Sequence, residues 1–380
     1  NDLIRPEKKH EFEFGAAAGF FNNRLNLDVA YYNAKIVDQI LPLQLGQSSG
    51  ASNILTNIGT LQNYGVDLSI SGTPVSNKDL SWTTGINFNF NHNKILKLTN
   101  GSNELIKADY DGNAAVLKSV VGQPVGDFYA HPIKTDSKGQ PIVNDYGDGT
   151  LDYQIDATQL IKYGNTQPKV IGGFYNTFSY KSFALEVYTD FRFGGYVMPT
   201  GLNWLTGRGL TKESLTGMDK AHGGLSYYLD SKGYGVQTDA AAGPNGEKVY
   251  DDGLLLKGNL PDGTPNKHIE SQAIYYWNVY NWGGPQYSNS QYFKYIVKNS
   301  YWKVREISFS YSLPGKIASK IKASKLQVSV FGRNLFYLYR TIKNMDSEQL
   351  TTGLSWDSQV SNAGTNFTTR TFGASIRATF

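Results

Sequence analysis

A two-residue apolar period, sustained over long segments, constrains this chain more than any other feature. In "LSWTTGINFNFNHNKI", Trp82, Ile86, Phe88 and Phe90 fall on one face of an extended chain, while Asn87, Asn89 and Asn91 fall on the other. A helix would scatter these side chains around its axis. Three successive amides in a dry core would each need hydrogen-bond partners, so the face opposite the apolar one reads as hydrated. The same period recurs in "HEFEFGAAAGFF", "RLNLDVAYYNAKI", "NYGVDLSISGTP", "VIGGFYNTFSY", "FALEVYTDFRFGGYV", "YWKVREISFSYSLP", "LQVSVFGRNLFYL" and the final "TRTFGASIRATF", which makes nine strands.

The first eight strands form pairs with short breaks. Asn22-Asn23 suits a tight hairpin with left-handed backbone angles, Lys181-Ser182 joins the third pair, and "PGKIASKIKASK" joins the fourth. Long connections at 37–57, 94–167, 198–299 and 339–368 alternate with these breaks. In an up-and-down sheet alternate connections lie at opposite ends, so every long loop gathers on one side. The strands run to about 10 to 15 residues, the length of tilted membrane-crossing strands. The expected fold is all-β: a transmembrane antiparallel β-barrel with short periplasmic turns and long extracellular loops. Nine strands cannot close an all-antiparallel barrel, so either a further strand escapes the pattern or residues 1–380 are part of a longer barrel, and the second reading is preferred. One strand is out of phase: Trp302 and Val304 compete with Ile307, Phe309 and Tyr311 for the apolar face, and a bulge or a protein-covered section would reconcile them.

Composition excludes several alternatives. No stretch approaches about 18 apolar residues, so no helix is expected to cross a membrane, and "NDLIRPEKKHEFEF" lacks the apolar core of a secretory signal. A net charge of +4 gives no argument for nucleic acid, and the absence of Cys rules out disulfides and thiolate metal sites. The 5 His are scattered, and no H-E-x-x-H, G-x-S-x-G or P-loop pattern occurs, so no enzyme is expected.

The segments "FFNNRLNLDVAYYNAKIVDQIL", "NIGTLQNYGVDLSISGTPV", "WTTGINFNFNHNKI", "IGGFYNTFSYKSF", "YWKVREISFSYSLP" and "VSVFGRNLF" resemble, in wording and order, the C-terminal part of SusC/RagA-like TonB-dependent outer-membrane transporters of Bacteroidetes. The resemblance implies a plugged barrel of roughly 22 strands, of which this chain supplies the C-terminal portion without the plug. It also implies a multi-pass location in outer-membrane lipid, a SusD-like surface lipoprotein as partner, TonB engaged through an N-terminal segment outside this chain, and import of glycans or oligopeptides. The alternative is a secreted β-rich carbohydrate-binding or adhesin module.

Four groups of residues are candidates for function. Tyr275, Tyr276, Trp277, Tyr280, Trp282 and Tyr287 crowd one long loop, where rigid aromatic area with polar edges suits partner or ligand contact, or a core of the loop's own. In "NDYGDGTLD", acidic residues and glycines alternate as in a calcium loop, with Asn144, Asp148 and Asp152 as the oxygen donors; family members carry a cleaner Asp-x-Asn-Gly-Asp-Gly form, from which Asn144 and Tyr146 depart. Glu186, Asp190 and Arg192 share a strand face and read as lumen wall. Glu186 and Asp190 are about 13 Å apart by strand rise, too far for a paired acid-base site. Phe380 ends the chain on an aromatic side chain, read as a barrel seam residue, and the resemblance implies an assembly signal there.

Overall fold

Three successive residues with left-handed angles, Phe21, Asn22 and Asn23 (φ 54°, 56° and 62°), reverse the chain between its first two strands. Asn tolerates this region because its short side chain can bond locally. The computed structural model describes residues 4–44, 53–110, 114–280, 291–351 and 368–380. Nine long segments pair in chain order into one antiparallel sheet. They are β1 (Lys8–Phe20), β2 (Leu25–Gln44), β3 (Asn53–Ser76), β4 (Leu80–Leu98), β5 (Pro168–Tyr180), β6 (Phe183–Gly194), β7 (Tyr301–Ser312), β8 (Lys325–Arg340) and β9 (Thr371–Thr379). Strands β2 and β3 run deeper into the first long connection than alternation alone suggests, because their ladder continues past a register shift near Asp38 to Gln44↔Asn53.

Register carries one apolar face across the whole sheet. Phe14, Tyr31, Val66 and Phe90 pair in succession at one side, and Phe183, Tyr311, Val328 and Ile376 at the other. Much of this face is uncovered: Phe14 is 65% exposed and Ile376 75%. The opposite face is polar and internally bonded, with Asn91 accepting from the Tyr32 hydroxyl at 3.0 Å and Asn89 donating to Asp67. The bulge in β7 sits where phase required it: Tyr188 pairs with Glu306 and Thr189 with Val304, which leaves Arg305 as the extra residue. Trp302 and Val304 thereby share the face of Ile307 and Phe309, while Arg305 reaches across the polar face.

Two glycines on that polar face are covered by tyrosine rings from neighbouring strands. A Cβ on Gly85 would meet the Tyr175 ring at 2.5 Å, and one on Gly65 the Tyr32 ring. Gly85→Val is therefore expected to cost about 1–3 kcal/mol by overpacking. Adding Tyr175→Ala should recover part of the loss in thermal unfolding of the detergent-purified protein; equal stability of Gly85→Val and the parent would remove the packing argument.

The expected fold class needs correction. The protein is all-β, but the nine-stranded sheet is open: β1 pairs with β2 and β9 with β8, and no pairing joins the two ends. The one closed barrel among the described residues is small, formed by Leu225–Leu229, Gly235–Gln237, Val249–Leu255 and Ile269–Ser271 within the long connection before β7. Among the described residues no large transmembrane barrel of the expected kind is present. Alternation and strand length fix faces and direction, whereas closure requires a ladder between the first and last strands, and these nine do not form one.

The buried core lies in the connections rather than in the sheet. Leu117, Phe128, Met198, Tyr295 and Ile296 come from the two longest connections and bury one another. Val143 and Leu151 from one connection join Leu256 from the next. Val197, Ile342 and Leu350 tie in the connection after β8. Since alternate connections leave the same end of a meander, these loops fold into one platform there.

Candidate functional site

On the polar face, the bulge aims Arg305 at Asp190 from the neighbouring strand. Nε and Nη2 each donate to one carboxylate oxygen at 2.6 Å, a bidentate pair. Arg305 Nη1 also donates to Glu348 Oε2 at 2.7 Å, and Lys303 Nζ donates to the same oxygen at 2.9 Å. Asp346 lies 3.8 Å from Lys303 Nζ and accepts from the Tyr337 hydroxyl at 2.7 Å. Two loop carboxylates thus clamp the segment after β8 onto the strand wall, and the Lys303 side chain is only 2% exposed. Burial by itself would raise the Glu348 carboxyl, but the hydrogen bonds and charges of Arg305 and Lys303 outweigh it and hold the group below the ordinary carboxylate range.

Of the three expected wall residues, only Asp190 joins this network. Glu186 faces the same side opposite Ser308. Arg192 is buried and donates from Nη2 to the Thr166 carbonyl at 3.0 Å, which braces the root of the platform. Asp346 and Glu348 were not legible in the sequence, because acids in a loop announce no partner until the loop is folded back.

The aromatic loop divides in two. Tyr275, Tyr276 and Tyr280 lie on helix α2 (Gln272–Tyr280), which packs beside α1 (Thr200–Gly207). Tyr280 stacks on Tyr276 at 5.6 Å and on Tyr295 at 5.9 Å. Trp277 instead is 39% exposed, near Arg208, whose guanidinium lies 3.5 Å from the centre of the Trp204 ring and 5.7 Å from that of Trp277. Trp282 and Tyr287 lie outside the described residues.

Asn144 and Asp152 are brought together across a hairpin, with the Asn144 amide donating to Asp152 at 2.9 Å and the Tyr146 hydroxyl adding two more bonds. Asp148 accepts from the Thr150 amide of its own turn at 2.9 Å. Calcium asks for six or more converging oxygens. Here Asp152 is taken up by an amide and a phenol and Asp148 by its own backbone turn, so the three do not fit a calcium cage. No cluster of three or more His, Cys, Asp or Glu able to hold a metal occurs among the described residues. The hairpin meets a group that no sequence pattern singles out: Glu270, 2% exposed, accepts from the Leu151 amide at 2.9 Å. Burial, reinforced by the charges of Asp152 and Asp148, pushes its carboxyl up to about 8 against the opposing Leu151 bond. Phe380 stands beyond the end of β9 and is 82% exposed.

The described residues thus form a wall with one apolar and one polar face, carrying a folded loop platform at one end. A family model described as "TonB dependent receptor-like, beta-barrel" matches residues 1–196. The chain belongs to this family of outer-membrane receptors, and its role is non-catalytic. TonB-dependent receptor P3 of Formosa agariphila is 24% identical over 357 residues, covering 88% of this chain and 30% of that protein. TonB-dependent receptor SusC of Bacteroides thetaiotaomicron is 29% identical over 190 residues, 48% of this chain and 19% of that receptor. A solved structure of the RagAB peptide transporter superposes with a TM-score of 0.63 at 21% identity, over 98% of this chain and 35% of that one, a likeness of fold. The chain therefore spans about a third or less of the length of the relatives it matches.

Proposed function

We propose that this chain contributes wall and loop platform to a multi-pass outer-membrane receptor that imports large nutrients, glycans or oligopeptides, driven by TonB through a segment outside these residues. Family membership over residues 1–196 carries this reading. The uncovered apolar face supports it, because a contiguous apolar surface of this extent calls for a nonpolar neighbour, here outer-membrane lipid. In this reading the polar face lines the path of cargo, with Glu186, Asp190 and Arg192 in its wall. The platform meets a SusD-like surface lipoprotein, and Trp277 with Trp204 and Arg208 offers it exposed aromatic area. Phe380, exposed past the last ladder pair, serves as seam and assembly residue.

Purification of the native complex in detergent, followed by mass spectrometry of subunits and bound cargo, tests this. Recovery of a surface lipoprotein with oligosaccharides or peptides is the expected result. A protein that is soluble without detergent and brings down neither partner nor cargo would overturn it.

A further inference from the structure

Between α1 and the turn after β8 lies a cleft of about 330 Å³, whose lining includes Lys294, Lys298, Lys343, Glu213 and Tyr280. Three lysines and one glutamate thus line the cleft, and the Glu213 carboxylate is itself engaged by the Asn344 amide. Lys294 is the unusual member. Its Nζ bonds the Tyr275 hydroxyl at 2.6 Å and lies 5.2 Å and 5.9 Å from the centres of the Tyr275 and Tyr280 rings. Those partners are neutral, and burial alone pushes its ammonium down to about 8, with no carboxylate among the described residues opposing the shift. A desolvated cation held by phenols in the lining of an open cleft gains most from a charged acceptor that arrives from outside.

We infer that this cleft is a binding site for a carboxylate-bearing ligand, with the carboxylate on Lys294 and the exposed Lys298 and Lys343 at the mouth. The inference deepens the import reading by giving the cargo a chemical handle, and it rests on that reading for its purpose. Its test reads binding alone.

Calorimetry on the native protein in detergent would compare an acetylated tripeptide bearing a free C-terminal carboxylate, the same tripeptide as its C-terminal amide, and a galacturonate trimer. The expected result is binding of a carboxylate probe at least about tenfold tighter than the amide. Lys294→Met should abolish that preference. Lys343→Ala, at an exposed position outside the core, should reduce it about threefold and remains informative if Lys294→Met fails to fold. Preference for the tripeptide acid assigns the carboxylate to peptide, and preference for the galacturonate assigns it to acidic sugar; either supports the site. Acid and amide binding alike, no binding by any probe, or a preference that survives both substitutions would overturn it. Cargo recovered with the native complex would in that case leave the import reading standing.

Discussion

Replacing Glu348 with alanine is expected to detach the segment after β8 from the strand wall and to destabilise the protein by about 2–4 kcal/mol. The reason is the partner left behind. Arg305 keeps its bidentate pair with Asp190, but Lys303, whose side chain is 2% exposed, retains no close carboxylate, with Asp346 at 3.8 Å and the Tyr337 ring centre at 5.1 Å. An exposed ion pair would cost less than about 1 kcal/mol to lose, so the magnitude reports burial of Lys303 rather than the pair itself. Lys303→Met combined with Glu348→Ala should then be milder than Glu348→Ala alone, because the stranded charge is gone. Hydrogen exchange across residues 341–351 and thermal unfolding in detergent would show both effects. Equal protection of this segment in parent and Glu348→Ala would refute the clamp. Acid should mimic the substitution. For Asp346, burial favours the neutral form, yet bonds from Thr368 and Tyr337 and the Lys303 charge leave its carboxyl, like that of Glu348, below the ordinary range. Groups depressed in the folded state stabilise it above their unfolded values, near 4, and that contribution disappears as pH falls through the lower folded values. The clamp is thus expected to be intact at pH 5 and to loosen progressively as pH falls below the unfolded values near 4.

What could be read from the sequence was what a strand reports locally. Alternation placed Phe88 and Phe90 on the apolar face and Asn89 and Asn91 on the hydrated one, and the phase conflict around Val304 located the bulge that frees Arg305. Closure was not local, and the expectation of a large barrel failed there: whether β1 and β9 meet depends on a ladder that neither strand encodes by itself. The site divides along the same line. Asp190 followed from its position on a strand, but it finds Arg305 across 115 residues, and Leu151 finds Glu270 across 119. Buried polar contacts of that separation become visible only once the long connections have condensed on their shared hydrophobic core. The aromatic loop shows the same limit, since composition could not separate Tyr280, which packs inward, from Trp277, which remains exposed.

Glu270 should make the loop platform less stable as pH rises through the neutral range, and Glu270→Gln should remove that dependence. In the unfolded chain this carboxyl titrates near 4.3, whereas in the folded platform burial holds it to about 8. Between those values the folded state keeps a proton that the unfolded state has released. Its stabilising contribution is therefore fully present below the unfolded value and falls by about 1.4 kcal/mol per pH unit until the folded group ionises, a total on the order of 3–5 kcal/mol. Gln at this position preserves an acceptor for the Leu151 amide and carries no charge to ionise beside Asp152 and Asp148. At pH 5 the variant should exceed the parent by only about fivefold; at pH 8 it should open less readily, with protection of the Leu151 amide higher by one hundredfold or more after correction for intrinsic exchange. Glu270→Ala gives the complementary result, since it leaves the Leu151 amide without its acceptor inside a cavity and should lose protection at both pH values. Parent protection at Leu151 that stays constant from pH 5 to pH 8 would mean that Glu270 is ionised throughout, and the neutral buried acid would have to be abandoned.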